Sequence, residues 1–412
     1  MNILKAVLRH EVFPALGCTE PIAVAYAASH AGQALDGELT RLEITVDAGV
    51  YKNGFAVIVP NTGGRRGNLI AGVLGALLAA PERAMEILSD VPPPVLERAV
   101  QTIAGGQAQL QCDKTKTQLY VDVVAHARAH TARATIEGTH TNVTRLQRDG
   151  IDLQPPQRTV HTDDARGFKS VLKTMRIAEL VAAAEQMDAE DHAYIMRGVA
   201  MNLRMAEAGR QLCKVGHYVA ELVARGYRTD DLLASCEALT SAAADARMNG
   251  LNLPVMSSGG SGNQGIVAIL VPYTVGTHYG VPEATIARSI AVSHLVNSYV
   301  KCYTGELSPL CGCAIAAGVG AAVAMVYQQA GADMPKIALA INNLISDLGG
   351  MLCDGAKSGC ALKVASSTTS SIRAAYMALN NHGITEEEGF VGATPEDTIR
   401  NLSVISTIGM AQ

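Results

Sequence analysis

Cys302, Cys311, Cys313, Cys353 and Cys360 crowd the last third of the chain, and four of them stand in glycine-rich loops, Leu310-Cys311-Gly312-Cys313-Ala314 and the stretch from Gly349 to Cys360. Thiolates that hold a soft metal need backbone able to bend around it and amides able to point at sulfur, and glycine supplies both. The leading reading is therefore a metal or iron–sulfur site. The competing one, small buried hydrophobes, suits Cys213 and Cys236, which stand singly in apolar helical stretches. The spacing C-x-C followed by C-x6-C matches neither a zinc ribbon nor a ferredoxin run, so spacing alone does not choose the metal.

Two further constellations could carry chemistry. In Gly17-Cys18-Thr19-Glu20-Pro21 the proline belongs in a first helical turn, which puts Cys18 just before a helix N-terminus, where the macrodipole favours a thiolate. Glu20 competes as acid or base, with capping as its structural role. Ser258-Gly259-Gly260-Ser261-Gly262-Asn263-Gln264-Gly265 contains the letters G-x-G-x-x-G, but the run before it is short and holds Pro254, so the dinucleotide fingerprint reads as a decoy. Its small hydroxyls, amides and glycines suit a compact polar substrate held by its carboxylate. Asn61-Thr62-Gly63-Gly64 has the same character and is either the other jaw of a site or a solvated turn.

The elements that must position these residues fall into two textures. A helix is expected over Ile22–His30, closed by Gly32, then strands at Leu42–Val46 and Phe55–Pro60, a helix at Asn68–Ala80, and antiparallel strands within Gln118–His126 and Thr131–Gln147. Residues 151–168, with two prolines and mixed charge, read as a linker or crossover. Beyond them the chain is helical in texture. The fold class is α+β: a mixed α/β-layer domain over residues 1–160, carrying the GCTEP and PNTGG loops, then a mainly α-helical domain over 161–412 with the SGGSGNQG loop and the clustered cysteines. The charge-free stretch Leu307–Ala332 is long enough to span a bilayer but is rich in Ala and Gly, and reads as a buried core helix.

Composition excludes other classes. With 33 Lys plus Arg against 38 Asp plus Glu and no basic cluster interleaved with aromatics, nucleic-acid binding is not expected. An odd count of nine cysteines and an N-terminus without a signal-peptide pattern point to a cytoplasmic protein without a disulfide framework. No membrane partner is expected, and a homo-oligomer stays open.

Taken together, Gly17-Cys18-Thr19-Glu20-Pro21, Pro60-Asn61-Thr62-Gly63, Ser258 to Gly265, Leu310 to Ala314 and Cys353-Asp354-Gly355-Ala356-Lys357 through Cys360 resemble the L-cysteine desulfidase family, which is related to the iron–sulfur L-serine dehydratases. The resemblance runs from about residue 10 to about 400. It implies a lyase with an oxygen-sensitive [4Fe-4S] cluster and no pyridoxal phosphate, converting L-cysteine to pyruvate, ammonia and sulfide. Three cysteines would hold the cluster and leave one iron open: Cys353, Cys360, and either Cys313, which is favoured, or Cys311. Cys18 would be the catalytic base, at a place where the serine dehydratase relatives carry histidine. Asn61, Thr62, Gly63, Ser261 and Asn263 would orient the substrate carboxylate and ammonium. Deamination of L-serine or another β-substituted amino acid, and a non-catalytic amino-acid or metal-binding role, remain as alternatives.

Overall fold

The alternation of Arg41–Asp47 turns Leu42, Ile44 and Val46 to one side and leaves Arg41, Glu43 and Thr45 less buried on the other, as in a strand with one wet face. In the computed structural model, which describes residues 1–153, 162–305 and 307–409, this segment is β2 of eight strands. They are β1 (Pro14–Leu16), β2 (Arg41–Asp47), β3 (Ala108–Asp113), β4 (Tyr120–His126), β5 (Thr131–Glu137), β6 (Val143–Arg148), β7 (Ile151–Asp152) and β8 (Pro254–Met256). Six form one sheet in the order β3-β2-β4-β5-β6-β7, with β2 and β3 parallel and the other neighbours antiparallel. β1 and β8 pair antiparallel in a separate two-stranded ladder.

The helices of the first half are α1 (Ile3–Glu11), α2 (Thr19–Ala34), α3 (Ala48–Gly54), α4 (Asn68–Leu78) and α5 (Pro93–Ala104). Helix α2 packs on β4 and β5, α4 packs on β3, and the two helices lie against each other. Their approach is backbone to backbone. A Cβ on Gly32 would sit 2.2 Å from the Ala76 carbonyl oxygen, and one on Gly75 would sit 2.0 Å from that of Ala25. Gly32 therefore lies inside α2 as a packing residue and does not close the helix.

The second half holds α6 (Thr162–Thr174), α7 (Ile177–Glu185), α8 (Ala189–Arg210), α9 (Val215–Ala224), α10 (Leu232–Met248), α11 (Gly262–His278), α12 (Glu283–Thr304), α13 (Ala316–Ala330), α14 (Met334–Leu348), α15 (Cys360–Leu379) and α16 (Pro395–Gly409). Aspartates start several of them: Asp188, Asp231 and Asp333 each accept a backbone N–H of the following first turn. The charge-free stretch is the centre of this half. From Ala316 to Tyr327 every residue of α13 is buried, with α11, α12, α14 and α15 packed around it. No helix among the described residues is long and apolar enough to cross a membrane. Helix α1 belongs to this core too, its Ile3, Leu4, Val7 and Leu8 buried against elements that include α6, α7 and α12.

The α+β class and the β4–β5 antiparallel pairing agree with the sequence reading. Phe55–Pro60 is not a strand. Phe55 is the αR residue that ends α3 and is 70% exposed, and the segment makes a single bridge, Ile58 to Arg66. Cys213 is exposed in the turn after α8, whereas Cys236 is buried as expected. The expected crossover at 151–168 begins as strand β7 and ends in the first turns of α6, and residues 154–161 between them lie outside the described residues. Gly75→Val should destabilise the protein by about 1–3 kcal/mol through overpacking at the α2–α4 contact. A urea midpoint equal to wild type would show that these helices do not touch as described.

Candidate active site

Cys18 is the N-cap of α2, held there because β1 delivers the chain into Gly17, which has φ +64° and packs its α-carbon against Pro60. The thiol is buried, and its Sγ donates to Glu20 Oε2 at 2.8 Å. This overturns the expected helix-terminus thiolate. Burial first, and the Glu20 charge second, push the Cys18 pKa well above its ordinary value, although the Arg247 charge opposes them. Glu20 is also more than a cap residue. Its carboxylate accepts from Thr19 Oγ1 (3.2 Å) and Asn53 Nδ2 (3.0 Å), and His140 Nε2 stands 4.0 Å from Oε1. Burial works against the Glu20 charge, but His140, Cys18 and Asn53 outweigh it and hold the pKa below the usual value.

Short helix α3 ties this acid to the cysteine loops. Asp47 caps it, accepting from Gly49 N (2.7 Å) and Val50 N (3.1 Å), and also accepts from Tyr120 N (2.8 Å) in the sheet. At its other end Asn53 meets Glu20, while Lys52 Nζ donates to the carbonyls of Cys353 (3.0 Å) and Ser308 (3.4 Å). A Cβ on Gly355, at φ +97°, would strike the Lys52 carbonyl oxygen at 2.4 Å, so only glycine lets the 353–360 loop lie this close.

The 310–313 and 353–360 loops are joined by a bridge between Leu310 and Leu352, with Cys353 N donating to Pro309 O and Cys311 N to Met351 O. The thiols of Cys311 and Cys313 share a hydrogen bond that lowers the Cys311 pKa to about 7 and raises that of Cys313. Charge on Cys353 and Cys360 is felt at Cys313, and burial raises the Cys360 pKa. Burial opposes the charge of Lys363, yet Asp354 and the thiols of Cys311 and Cys360 hold its pKa up. Cys360 also lies in one small buried cluster with Cys18, Val57 and Met248. Four soft donors thus stand on two joined loops, with Cys360 beside Cys18, and their chemistry fits an iron–sulfur cluster. No three His, Cys, Asp or Glu side chains among the described residues stand at metal-holding spacing, so the thiols are neighbours rather than a closed cage.

The 258–265 loop lies against the 310–313 loop. Ser258 Oγ is held by His294 Nδ1 (2.8 Å) and Asn297 Nδ2 (2.9 Å), and the Lys301 ammonium donates to the Gly259 carbonyl. Gln264 reaches the cysteine loop, since a Cβ on Gly312 would lie 2.6 Å from its Nε2. The strand ahead of this loop pairs antiparallel in a two-stranded ladder, which is not a dinucleotide-binding βαβ unit. Ser261 and Asn263 open α11. Asn61 and Thr62 bond to backbone: Asn61 Nδ2 ties the turn to the 88–89 segment, donating to Leu88 O (2.7 Å) and Ser89 O (3.0 Å), Thr62 Oγ1 donates within the turn to Val59 O (2.7 Å), and Gly63 is an exposed φ +66° turn residue. Sequence reasoning missed Asn53, His140, Arg247 and Lys363. Arg247 alone carried a legible signal, a charge inside the Ala-rich buried end of α10.

A carboxylate whose folded pKa is depressed stabilises the fold above its unfolded pKa and loses that contribution as pH falls through the folded value. Glu20→Gln should therefore flatten the part of the acid-unfolding curve that lies below the ordinary carboxylate value of 4.5. Parallel stability curves for variant and wild type across that range would mean that Glu20 is not held ionised.

The serine dehydratase alpha chain family matches residues 95–412. A UPF0597 protein of Geobacter sulfurreducens is 59% identical over 100% of this chain and 96% of its own length. Those of Elusimicrobium minutum and Clostridium tetani are 50% and 37% identical, each over 100% of this chain and 96% of the relative. The chain belongs to the serine dehydratase alpha chain family, in the company of its UPF0597 relatives.

Proposed function

We propose that this protein is an iron–sulfur-dependent lyase that eliminates the β-substituent of a small amino acid, with L-cysteine as substrate and pyruvate, ammonia and sulfide as products. The observation that carries the reading is that Cys18, hydrogen-bonded to Glu20, lies in one buried cluster with Cys360, whose loop is bridged to the loop of Cys311 and Cys313. L-Serine is the second reading, favoured by the family description.

Cys353, Cys360 and one of Cys313 and Cys311 would hold a [4Fe-4S] cluster, which when bound supplies an open Lewis-acid iron for the β-substituent. The chain's own residues handle the proton. Cys18 rests as a thiol, so it can act as base only after its proton passes to Glu20 Oε2, to which it already donates. The thiolate then takes the α-proton, the C–H electrons form the Cα–Cβ double bond, and the β-carbon–sulfur bond breaks with its electrons on sulfur. Aminoacrylate is released and hydrolyses to pyruvate and ammonia. Ser261 and Asn263 orient the substrate, while the 60–63 turn acts as a wall that fixes Gly17.

Protein purified in air should lose its iron and its activity, and anaerobic reconstitution with iron and sulfide should restore both. Stoichiometric zinc with iron-independent turnover would overturn the cluster. Cys353→Ser and Cys360→Ser should abolish cluster assembly, Cys112→Ser and Cys213→Ser should not, and whichever of Cys311→Ser and Cys313→Ser abolishes it identifies the third ligand.

Cys18→Ala should keep the cluster spectrum and lose turnover by roughly 10²- to 10⁴-fold, the usual contribution of a positioned base. Wild-type turnover in that variant would remove the base assignment. Faster pyruvate release from L-serine than from L-cysteine would make the enzyme a dehydratase.

A further inference from the structure

Among the described residues Arg247 is a buried cation without a counter-ion. It is 3% exposed near the end of α10, and its Nε has no hydrogen-bond partner. No carboxylate among the described residues pairs with it. An isolated guanidinium out of water is costly, and such a group is retained where an anion joins it.

What the guanidinium faces is the first turn of α11. A Cβ on Gly262 would lie 2.3 Å from Arg247 Nε and 2.8 Å from its Cζ, so the side chain rests on the Gly262 α-carbon. The first helical bond of α11 runs from Gly265 N to Ser261 O, which leaves the amides ahead of it outside the helical ladder, and the N-cap Ser261 makes no side-chain cap. Free amides, the positive end of a 17-residue helix dipole and a guanidinium therefore share one place. Beside it, Asn263 Oδ1 and Gln264 Oε1 are buried carbonyl oxygens without donors. An anion flanked by unsatisfied acceptors describes a zwitterion, with carboxylate on one side and ammonium on the other.

We infer that Arg247 and the first turn of α11 bind the α-carboxylate of the substrate, and that Asn263 and Gln264 accept its ammonium. The inference rests on the proposed amino-acid chemistry and deepens it. It gives the site an orientation: the carboxylate is anchored against α10 and α11, while Gln264, which also touches Gly312, lies on the side of the cysteine loops. Met248, the residue after Arg247, packs with Cys18 in one buried cluster, so the anchor stands beside the Cys18–Glu20 pair.

The test is equilibrium binding by calorimetry to the full chain, with three unreactive probes: L-alanine, pyruvate, which lacks the ammonium, and L-alaninamide, which lacks the carboxylate. Arg247→Gln should weaken L-alanine and pyruvate roughly tenfold to hundredfold, the worth of a charge-assisted contact, and leave L-alaninamide unchanged. A merely structural role would weaken all three alike. Arg247→Lys should recover part of the loss. If Arg247→Gln does not fold, Gly262→Ala reads the same contact, because the added methyl displaces the guanidinium. Unchanged L-alanine binding in folded Arg247→Gln, or no binding of either carboxylate by wild type, overturns the inference. Pyruvate bound through Arg247 with no affinity for any amino acid would instead keep the carboxylate site and sink the proposed reaction.

Discussion

Pro14–Leu16 and Pro254–Met256 are about 240 residues apart, yet they pair as a three-residue antiparallel ladder, and the geometry of the whole site hangs on it. The ladder is extended by Ser257, whose N–H donates to Phe13 O and whose hydroxyl lies between Phe13 N and Glu11 O, and by Gly260 N donating to Glu11 O. One strand leads directly into Cys18 and α2. The other leads into the 258–265 loop and α11. Closing so long a loop costs chain entropy that three strand pairs alone do not offset, so the ladder depends on the buried helices on either side: α1 in the helical core and α2 against the sheet.

Small residues make that convergence possible. Gly32 and Gly75 bring α2 onto α4, Gly355 lets the second cysteine loop lie on α3, and Gly312 and Gly262 make room for Gln264 and Arg247. In each case the neighbour occupies the volume a side chain would need. The glycine content near the site is thus a packing requirement as much as a source of bends. The central helix α13 follows the same rule, since a Cβ on Gly320 would lie 2.5 Å from the Ser293 carbonyl oxygen.

Where the two halves meet, the interior is unusually polar. Glu20, Asn53 and His140 come from the first half, and Arg247, Asn263 and Gln264 from the second. Buried polar groups that the fold itself does not satisfy, such as Asn263 Oδ1 and Arg247 Nε, are expensive, and the natural compensation is a polar ligand. The cysteine loops add charges of the same kind, with Lys52 fixing the backbone at Cys353 and Lys363 set among the thiols.

Much of this architecture was legible in the residues themselves. Two-residue alternation marked β2, β4 and β5; the charge-free Ala- and Gly-rich stretch marked the central helix; and the glycine-flanked cysteines and the Gly17–Pro21 turn marked the segments that meet. These signals are local, and local backbone preference decides them. Phe55–Pro60 failed because an apolar run reads alike in a strand and in the exit from a short helix, and β1 and β8 were invisible because three residues carry no period. The protonation of Cys18 was beyond any local rule. Its place at a helix N-terminus argued for a thiolate, but burial and the charge of Glu20 hold its pKa up against the charge of Arg247. That Arg247 Nε finds no partner among the described residues was likewise decided by which residues fold around it. Tertiary structure settles such questions because desolvation and charge–charge terms depend on distance in space, and His140, Arg247 and Cys360 reach Glu20 and Cys18 from more than a hundred residues away along the chain.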